Sequence, residues 1–318
     1  MHLLIPYAAS HAEGCQAALA TLKLPHLQKL INRLSPQAID LGDELSWSPP
    51  HERALARSLG LPVADGQIPW AALEAQKRPE LAQLPKQQQG AWAFVTLCHW
   101  QATTHEVTMR QLPMRDMSAA ESDALLAAMQ PFFAQDGITL YPFETGRWLA
   151  QGAVFADLPS ASPDRVLGRN LSPWVPTAAQ ASGLIRLVSE MQMLLYTHPI
   201  NDARDRRGAT PINAIWFSGS GALPEGRPNP APEQPVMAKT LREAALQDDW
   251  AGWASAWQQI DASQVKPLLD AQAGGKDVQL TLCGERHAQS WVSQAFTLKQ
   301  KFRQLFAQTT TQSVLEPL

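Results

Sequence analysis

Apolar residues recur along this chain in two rhythms, one for strands and one for helices. Residues 2–7 form a short apolar run that ends at a loop, which predicts a buried strand. Leu24, Leu27, Leu30, Ile31 and Leu34 then return at helical spacing and stop at Ser35-Pro36. A second helix is predicted from Pro50, capped by Ser48, carrying Ala54, Leu55 and Leu59 and ending at Gly60. Asp65-Gly66 marks a turn, and residues 76–89 are polar without a period, as in an exposed connection.

The texture changes at residue 91. Residues 91–97 and 106–112 predict strands separated by residues 98–105. Ser118 and Glu121 form a capping box ahead of Leu125, Leu126 and Met129. Residues 138–143 and 148–150 predict further strands, and strands paired around one helix predict an α+β subdomain. Leu184, Leu187, Val188, Met191, Leu194 and Leu195 make the stripe of a longer helix, followed by a strand at 212–217. Residues 222–235 are rich in Pro, Gly and Asn and predict a loop. Helices are predicted at 241–260 and 288–306 with a strand at 278–283 between them, and the last ten or so residues are expected to fray.

Composition narrows the classes. The 318 residues are 45% hydrophobic and 17% charged, enough for a large core or two domains. A net charge of -3 gives no general affinity for nucleic acid or anionic membrane. No segment approaches the ~20 apolar residues of a membrane span, and the apolar start is too short for a signal peptide. Cys15, Cys98 and Cys283 are odd in number and far apart, so a reduced, cytoplasmic setting is expected.

The richest chemistry lies in His198-Pro199-Ile200-Asn201-Asp202-Ala203-Arg204 and on to Asn213 and Gly221, where a helix crosses a polar turn into a strand. One reading is an anion site, with Arg204 on the anion and Asn201 and Asn213 donating. The other is a helix stop in which His198 covers the last carbonyls and Asn201 and Asp202 bond locally. Ser218-Gly219-Ser220-Gly221 reads either as a phosphate cradle or as a flexible strand exit, and it lacks the Walker lysine. His51 and Glu52 open a helix, where they suit metal or acid–base work, or Glu52 simply complements the helix dipole. His99 beside Trp100 lines a pocket or packs in a core. Arg147 grips an anion or stacks on an aromatic ring. Trp250, Trp253 and Trp257 share a helix face suited to core or to a partner surface. No Gly-x-Ser-x-Gly elbow, His-Glu-x-x-His or Asp-rich metal loop is present.

With its neighbours, the junction from His198 to Gly221 resembles a segment of the archaeal-type cofactor-independent phosphoglycerate mutases, of the alkaline phosphatase superfamily. Residues 2–7 resemble their first strand, Leu24-Pro25-His26-Leu27 their Thr-Pro-Asn-Leu helix, and Gly146-Arg147 a Gly-His-Arg of their inserted domain. Ser48-Pro49-Pro50-His51-Glu52-Arg53, Asp65-Gly66, His99-Trp100 and the run from Met193 to His198 are also similar to a bacterial group labelled RpfE-type regulatory protein or phosphoglycerate mutase. The resemblance implies two metal ions and a nucleophilic serine. Where the mutases have Asp-Gly after the first strand, this chain has Pro6-Tyr7-Ala8-Ala9. Where they have Pro-Pro-Gly-Ser-Asp, it has Pro49-Pro50-His51-Glu52-Arg53. Their late Asp-x-x-x-His elements have only Asp270, Asp277 and His287 as scattered counterparts.

The expectation is therefore an α/β fold, its sheet flanked by helices. An alkaline-phosphatase-like core is expected from residues 1–90 and 177–307, an inserted α+β subdomain from 91–176 and a flexible tail from 308–318. The expected role is regulatory binding of a small phosphorylated or carboxylated metabolite through His198, Asn201, Arg204, Asn213 and Arg147. No cofactor, nucleic acid or membrane is expected, and a protein partner is unspecified. The enzyme alternative is a mutase or phosphatase with an altered Mn or Mg site, using His51, Glu52 and His99. A third reading is a ligand-free scaffold acting through its tryptophan-bearing helices.

Overall fold

A computed structural model of the protein describes residues 1–84, 90–112, 116–177, 181–224, 234–293 and 309–318. The chain divides into two compact units, Met1–Gly60 with Pro228–Leu318, and Leu61–Arg227. The first unit opens with β1 (His2–Ile5), α1 (Glu13–Thr21), α2 (Pro25–Ile31), β2 (Ser35–Pro36) and α3 (Pro50–Ser58). The second holds α4 (Trp70–Gln76), α5 (Pro79–Ala82), β3 (Trp92–Ala102), β4 (Val107–Gln111), α6 (Ala119–Gln135), β5 (Thr139–Glu144), β6 (Arg147–Gln151), α7 (Pro163–Val166), α8 (Ser182–Thr197), α9 (Pro199–Arg206) and β7 (Ala214–Gly221). The chain returns to the first unit with β8 (Val236–Met237), α10 (Leu241–Leu246), α11 (Trp250–Ile260), α12 (Lys266–Ala273), β9 (Gln279–Cys283), β10 (Ala288–Val292) and α13 (Thr311–Leu315).

The first unit is a mixed sheet in the order β2-β10-β9-β1-β8, with β1 parallel to both β9 and β8. Alternation sends Leu3, Ile5, Leu280, Leu282 and Trp291 to one face, where they pack with Leu19, Leu27, Trp253 and Trp257 from the helices. Each such side chain stabilises the fold by ~1.5–3 kcal/mol. Leu4, Cys283 and Ala288 face the other way, against Ala54 and Leu55 of α3. The α2 helix starts at Pro25, and its open amides at His26 and Leu27 donate to the buried Asp261 carboxylate at 3.1 and 2.7 Å.

Several local expectations change here. The helix predicted over 241–260 is two helices, broken at Asp248 with φ 55° and restarted by Asp249, whose Oδ1 accepts from Gly252 N. Residues 288–292 form a strand, because each pairs antiparallel with β9; residues 294–306 of the predicted helix lie outside the described residues. Ser48 does not cap α3: the cap position is Pro49 without a side-chain bond, and the Ser48 carbonyl instead accepts from Arg53. Residues 309–318 do not fray. Val314, Leu315 and Leu318 are buried, and Gln28 and Asn32 bond to Thr309 and Thr311.

In the second unit β3 is the spine. One side pairs with β6 over Trp92–Thr96 and with β4 over Cys98–Ala102; the other pairs with β7. The strand therefore runs through residues 98–102, which the pattern assigned to a connection. Val95, Leu97 and Ile215 pack with Leu125, Met129 and Phe133 of α6 and Leu187, Met191 and Leu195 of α8. The opposite face buries Trp92, Phe94 and Leu149 against Ala71, Ala72 and Ala75 of α4. The predicted capping box is present, with Glu121 N donating to Ser118 Oγ at 3.1 Å and Ser118 N to Glu121 Oε2 at 2.9 Å.

The overall class is the expected mixed α/β fold with sheets flanked by helices. The division differs from the one expected. Residues 61–90 and 177–227 belong with the inserted sheet, because β7 zips along β3 and α4 and α8 cover its two faces.

Candidate functional site

The junction that dominates the sequence is a second helix, α9, rather than a turn. His198 ends α8 and starts α9: its N–H donates to Leu195 O at 3.2 Å, and its Nδ1 accepts from Ile200 N at 3.2 Å. Asn201 Nδ2 donates to Leu195 O (2.8 Å) and Ile212 O (2.7 Å), and its Oδ1 accepts from Ile212 N (2.8 Å). Asn213 mimics a strand partner. Its Oδ1 accepts from Trp100 N at 2.7 Å and its Nδ2 donates to Trp100 O at 2.8 Å.

Arg204 is 0% exposed. Its Nε donates to Thr210 O and its Nη1 to Asp116 O, both at 2.8 Å, and Glu121 lies 3.5 Å from Nη1. Burial pushes the guanidinium below its ordinary value, and the Glu121 charge opposes that shift. Glu121 is itself pushed up by burial, but bonds from Ser118 and Arg207 outweigh this and hold it below the usual carboxylate range.

The remaining candidates of this unit are also engaged by the protein. His99 Nδ1 lies 3.0 Å from Pro211 O. Arg147 stacks over the Phe94 ring at 3.6 Å and is 3.7 Å from Glu144. Ser218-Gly219-Ser220-Gly221 is no phosphate loop but the end of β7, with Ser220 Oγ bonded to Leu158 O and Ser160 Oγ. Gly219 has φ 61°, and a Cβ there would meet Trp70 and Phe94 at 3.0 and 3.1 Å.

A more open arrangement lies in the first unit, at the carboxyl ends of the parallel strands β1 and β9, the edge where open α/β sheets bind ligands. Tyr7 follows β1 in the left-handed region with φ 56°, a conformation that suits glycine better than tyrosine. Trp253 Nε1 donates to Tyr7 O at 2.8 Å and Trp257 Nε1 to Ala8 O at 3.1 Å, while Ala8 N donates to Cys283 O at 2.8 Å. Trp253 and Trp257 are fully buried, so this tryptophan face is core that positions a loop and not a partner surface.

The Tyr7 ring tilts onto His51, centroids 5.4 Å apart, in the first turn of α3 beside Glu52. Arg53 and Arg57 both bind Asp40. Burial pushes the Asp40 carboxyl up, but the Arg57 bond and the Arg53 charge overcome this and hold it below its usual range. Across the edge, Glu285 Oε2 accepts from Ser10 Oγ at 3.1 Å and His11 N at 3.3 Å, with His11 Nδ1 at 3.9 Å. His287 Nδ1 accepts from Gly42 N at 3.1 Å. Burial, with His11, Arg286 and Arg53 nearby, keeps this imidazole below its ordinary value.

Sequence reading found His51 and Glu52 at this edge and noted His287. It missed Tyr7, Ser10, His11 and Glu285. The one available signal was the polar run Gly284-Glu285-Arg286-His287 between two apolar strands, too short a turn to need so much charge. The same sheet also carries an open cleft of about 820 Å³ toward the amino end of β1, where His2 Nε2, Thr281 Oγ1 and Ser290 Oγ join at 2.8 Å each.

The donor set does not fit the metal pair that the resemblance implies. Among the described residues no three His, Cys, Asp or Glu side chains come together as metal ligands. Nor, among them, is any helix long and apolar enough to cross a membrane.

The fold and site thus define a mixed α/β protein with a polar strand edge. In sequence it has weak homology to cofactor-independent phosphoglycerate mutase. Over 146 residues it is 27% identical to the 2,3-bisphosphoglycerate-independent phosphoglycerate mutase of Methanothrix thermoacetophila. That stretch is 44% of this chain and spans only 35% of the relative. No family model matches. Among solved structures, the cofactor-independent phosphoglycerate mutase of Thermoplasma acidophilum aligns at 12% identity, over 92% of this chain and 89% of its own, with a TM-score of 0.36. The PH0037 protein of Pyrococcus horikoshii aligns at 12% identity, over 92% and 87%, with a TM-score of 0.44.

Proposed function

We propose that this is a mutase-like protein that acts by binding, in a regulatory role, and does not carry out metal-dependent phosphoryl transfer. The observation that carries the reading is the Tyr7–His51 pair. Tyr7 stands where the resemblance implies a glycine after a metal-binding aspartate, and Pro6 stands for that aspartate. His51 stands in the segment that would hold the nucleophilic serine. Without a carboxylate and a hydroxyl there, neither a pair of cations nor a phosphoserine has its groups.

The ligand we propose is a small phosphorylated or carboxylated metabolite at the same edge. His11, His51 and Arg286 bring N–H groups there and Ser10 a hydroxyl; Glu285 holds Ser10 and His11 and Glu44 holds Arg286, so an anion would exchange with these carboxylates. The junction residues His198, Asn201, Arg204 and Asn213 are assigned a structural role, because their side chains bond to backbone groups of their own unit.

The test is metal analysis of the purified protein, joined to an assay of 2- and 3-phosphoglycerate interconversion in excess Mn²⁺ and Mg²⁺. Calorimetric titration with 3-phosphoglycerate completes it. The expected result is no turnover, with binding that weakens in His51→Ala. Stoichiometric metal and turnover would sink the reading in favour of an altered metal enzyme. Binding unaffected by His51→Ala but lost in Arg204→Lys would move the site back to the junction.

A further inference from the structure

The second unit carries an apolar pocket beside α8. A cavity of about 180 Å³ lies along the free edge of β7, between that strand, the segment around Trp174 and α8. Its walls include Trp100, Trp174, Trp216, Leu184, Val188 and Phe217, and among the described residues no charged side chain lines it. Protein interiors close to crystal density and keep few voids larger than a water molecule. An apolar cavity of about 150 Å³ stays dry and takes up benzene. This one is similar in size and apolar lining, and it opens to solvent beside the exposed Ile185 and Ser189.

The walls are held apart by bonds made elsewhere. Trp216 Nε1 donates to Ala161 O at 2.9 Å, which fixes the indole, and Trp100 meets it edge-on with centroids 6.3 Å apart. Phe217 is seated against Phe133 and Phe155 at 6.2 and 5.7 Å. Ser160 Oγ is engaged by Ser220. Collapse onto the void would break these contacts, so the pocket is preformed. A preformed apolar site takes a ligand without first ordering its own side chains.

We propose that this pocket binds one small, neutral aromatic molecule, a single ring or a fused pair of indole size. A charged ligand would be stripped of water with no counter-charge to meet it. An aliphatic chain long enough to fill the volume would lose more rotational freedom than a rigid ring of equal area. Trp100, Trp174 and Trp216 supply faces and edges for a ring. Among the described residues Gln192 and Ser189 of α8, Ser160 and Trp100, whose Nε1–H is buried without a hydrogen-bond partner, bring polar groups to the lining, so one hydroxyl or N–H on the ligand is tolerated. The proposal does not depend on the reading of the first unit.

The experiment is titration of the full chain with indole and, separately, p-cresol, read by ligand-observed NMR and thermal unfolding. It is repeated on Val188→Phe, which fills the cavity, and on Ile185→Trp, which narrows it from an exposed position on α8. Saturable binding that raises the melting temperature is expected. Affinity should fall about tenfold or more in whichever of the variants unfolds as cooperatively as the parent chain. No saturable binding of either probe to the folded protein overturns the proposal, as does equal affinity in a folded variant. A change of oligomeric state in the variants with no probe binding by the parent would also overturn it, assigning the cavity to a second copy.

Discussion

Asn201, Arg204 and Asn213 meet backbone groups of their own unit, while His11 and Glu285 face each other across a loop that water reaches. The two regions carry similar side chains. They differ in what the backbone around them lacks. At the junction Pro199 and Pro211 have no N–H to give, and α8 ends within four residues of a new helix. Carbonyls of Leu195, Thr210 and Ile212 are left for side chains to satisfy. At the edge of β1 and β9 the backbone partners are already supplied by Trp253, Trp257 and the strands themselves. There the polar side chains pair with one another, Glu285 with Ser10 and His11 and Arg286 with Glu44.

The sharpest way to break this comparison is Arg204→Ala. If the junction is structural, it removes two charge-assisted bonds, leaving the Thr210 carbonyl without its side-chain partner and Glu121 and the Asp116 carbonyl with only one of their two guanidinium groups, Arg207, and unfolding free energy should fall by about 3–5 kcal/mol. Urea denaturation measures this, and a loss near zero would return Arg204 to a ligand role. Asn201→Ala comes next. It removes three bonds to buried or half-buried backbone groups, for a loss of about 2–3 kcal/mol by the same measurement. His51→Ala at the edge should cost less, about 1–2 kcal/mol from lost ring packing, and should instead weaken 3-phosphoglycerate binding.

The smallest effect is in pH. Burial, together with His11, Arg286 and Arg53, holds His287 below its ordinary value, so it stays neutral in the fold while the unfolded chain gains a proton. Its stabilising contribution is complete above about pH 6.5 and is lost as pH falls through that value toward the folded one. His287→Gln should flatten the decline of stability between about pH 7 and 5.5. Asp40 also lies below its ordinary value, so its contribution is present above about pH 4 and is lost only in more acid solution. The two windows can be told apart in one denaturation series.

The cluster at the edge was only partly legible because its members come from three distant stretches: residues 7–11, 51–52 and 285–287. No local spacing joins them. The junction was conspicuous for the opposite reason, since the side-chain bonds of His198 and Asn201 close within about a dozen residues of chain.

By itself the sequence determined the apolar runs of strands β1 and β9, the stripe of α8 and the capping box of α6, because apolar patterning and caps are local properties. The α/β class follows from them. Tertiary structure decided what local chemistry leaves open. β7 joined the inserted sheet because it could pair along β3, and so moved the domain boundary. Residues 288–292 became strand because β9 offered an edge. Trp253 and Trp257 became core because the sheet of the first unit covers them and Tyr7 and Ala8 accept their indole protons. Whether a polar side chain serves the fold or a ligand depends on whether the nearby backbone is already satisfied, and that is fixed only when distant segments meet.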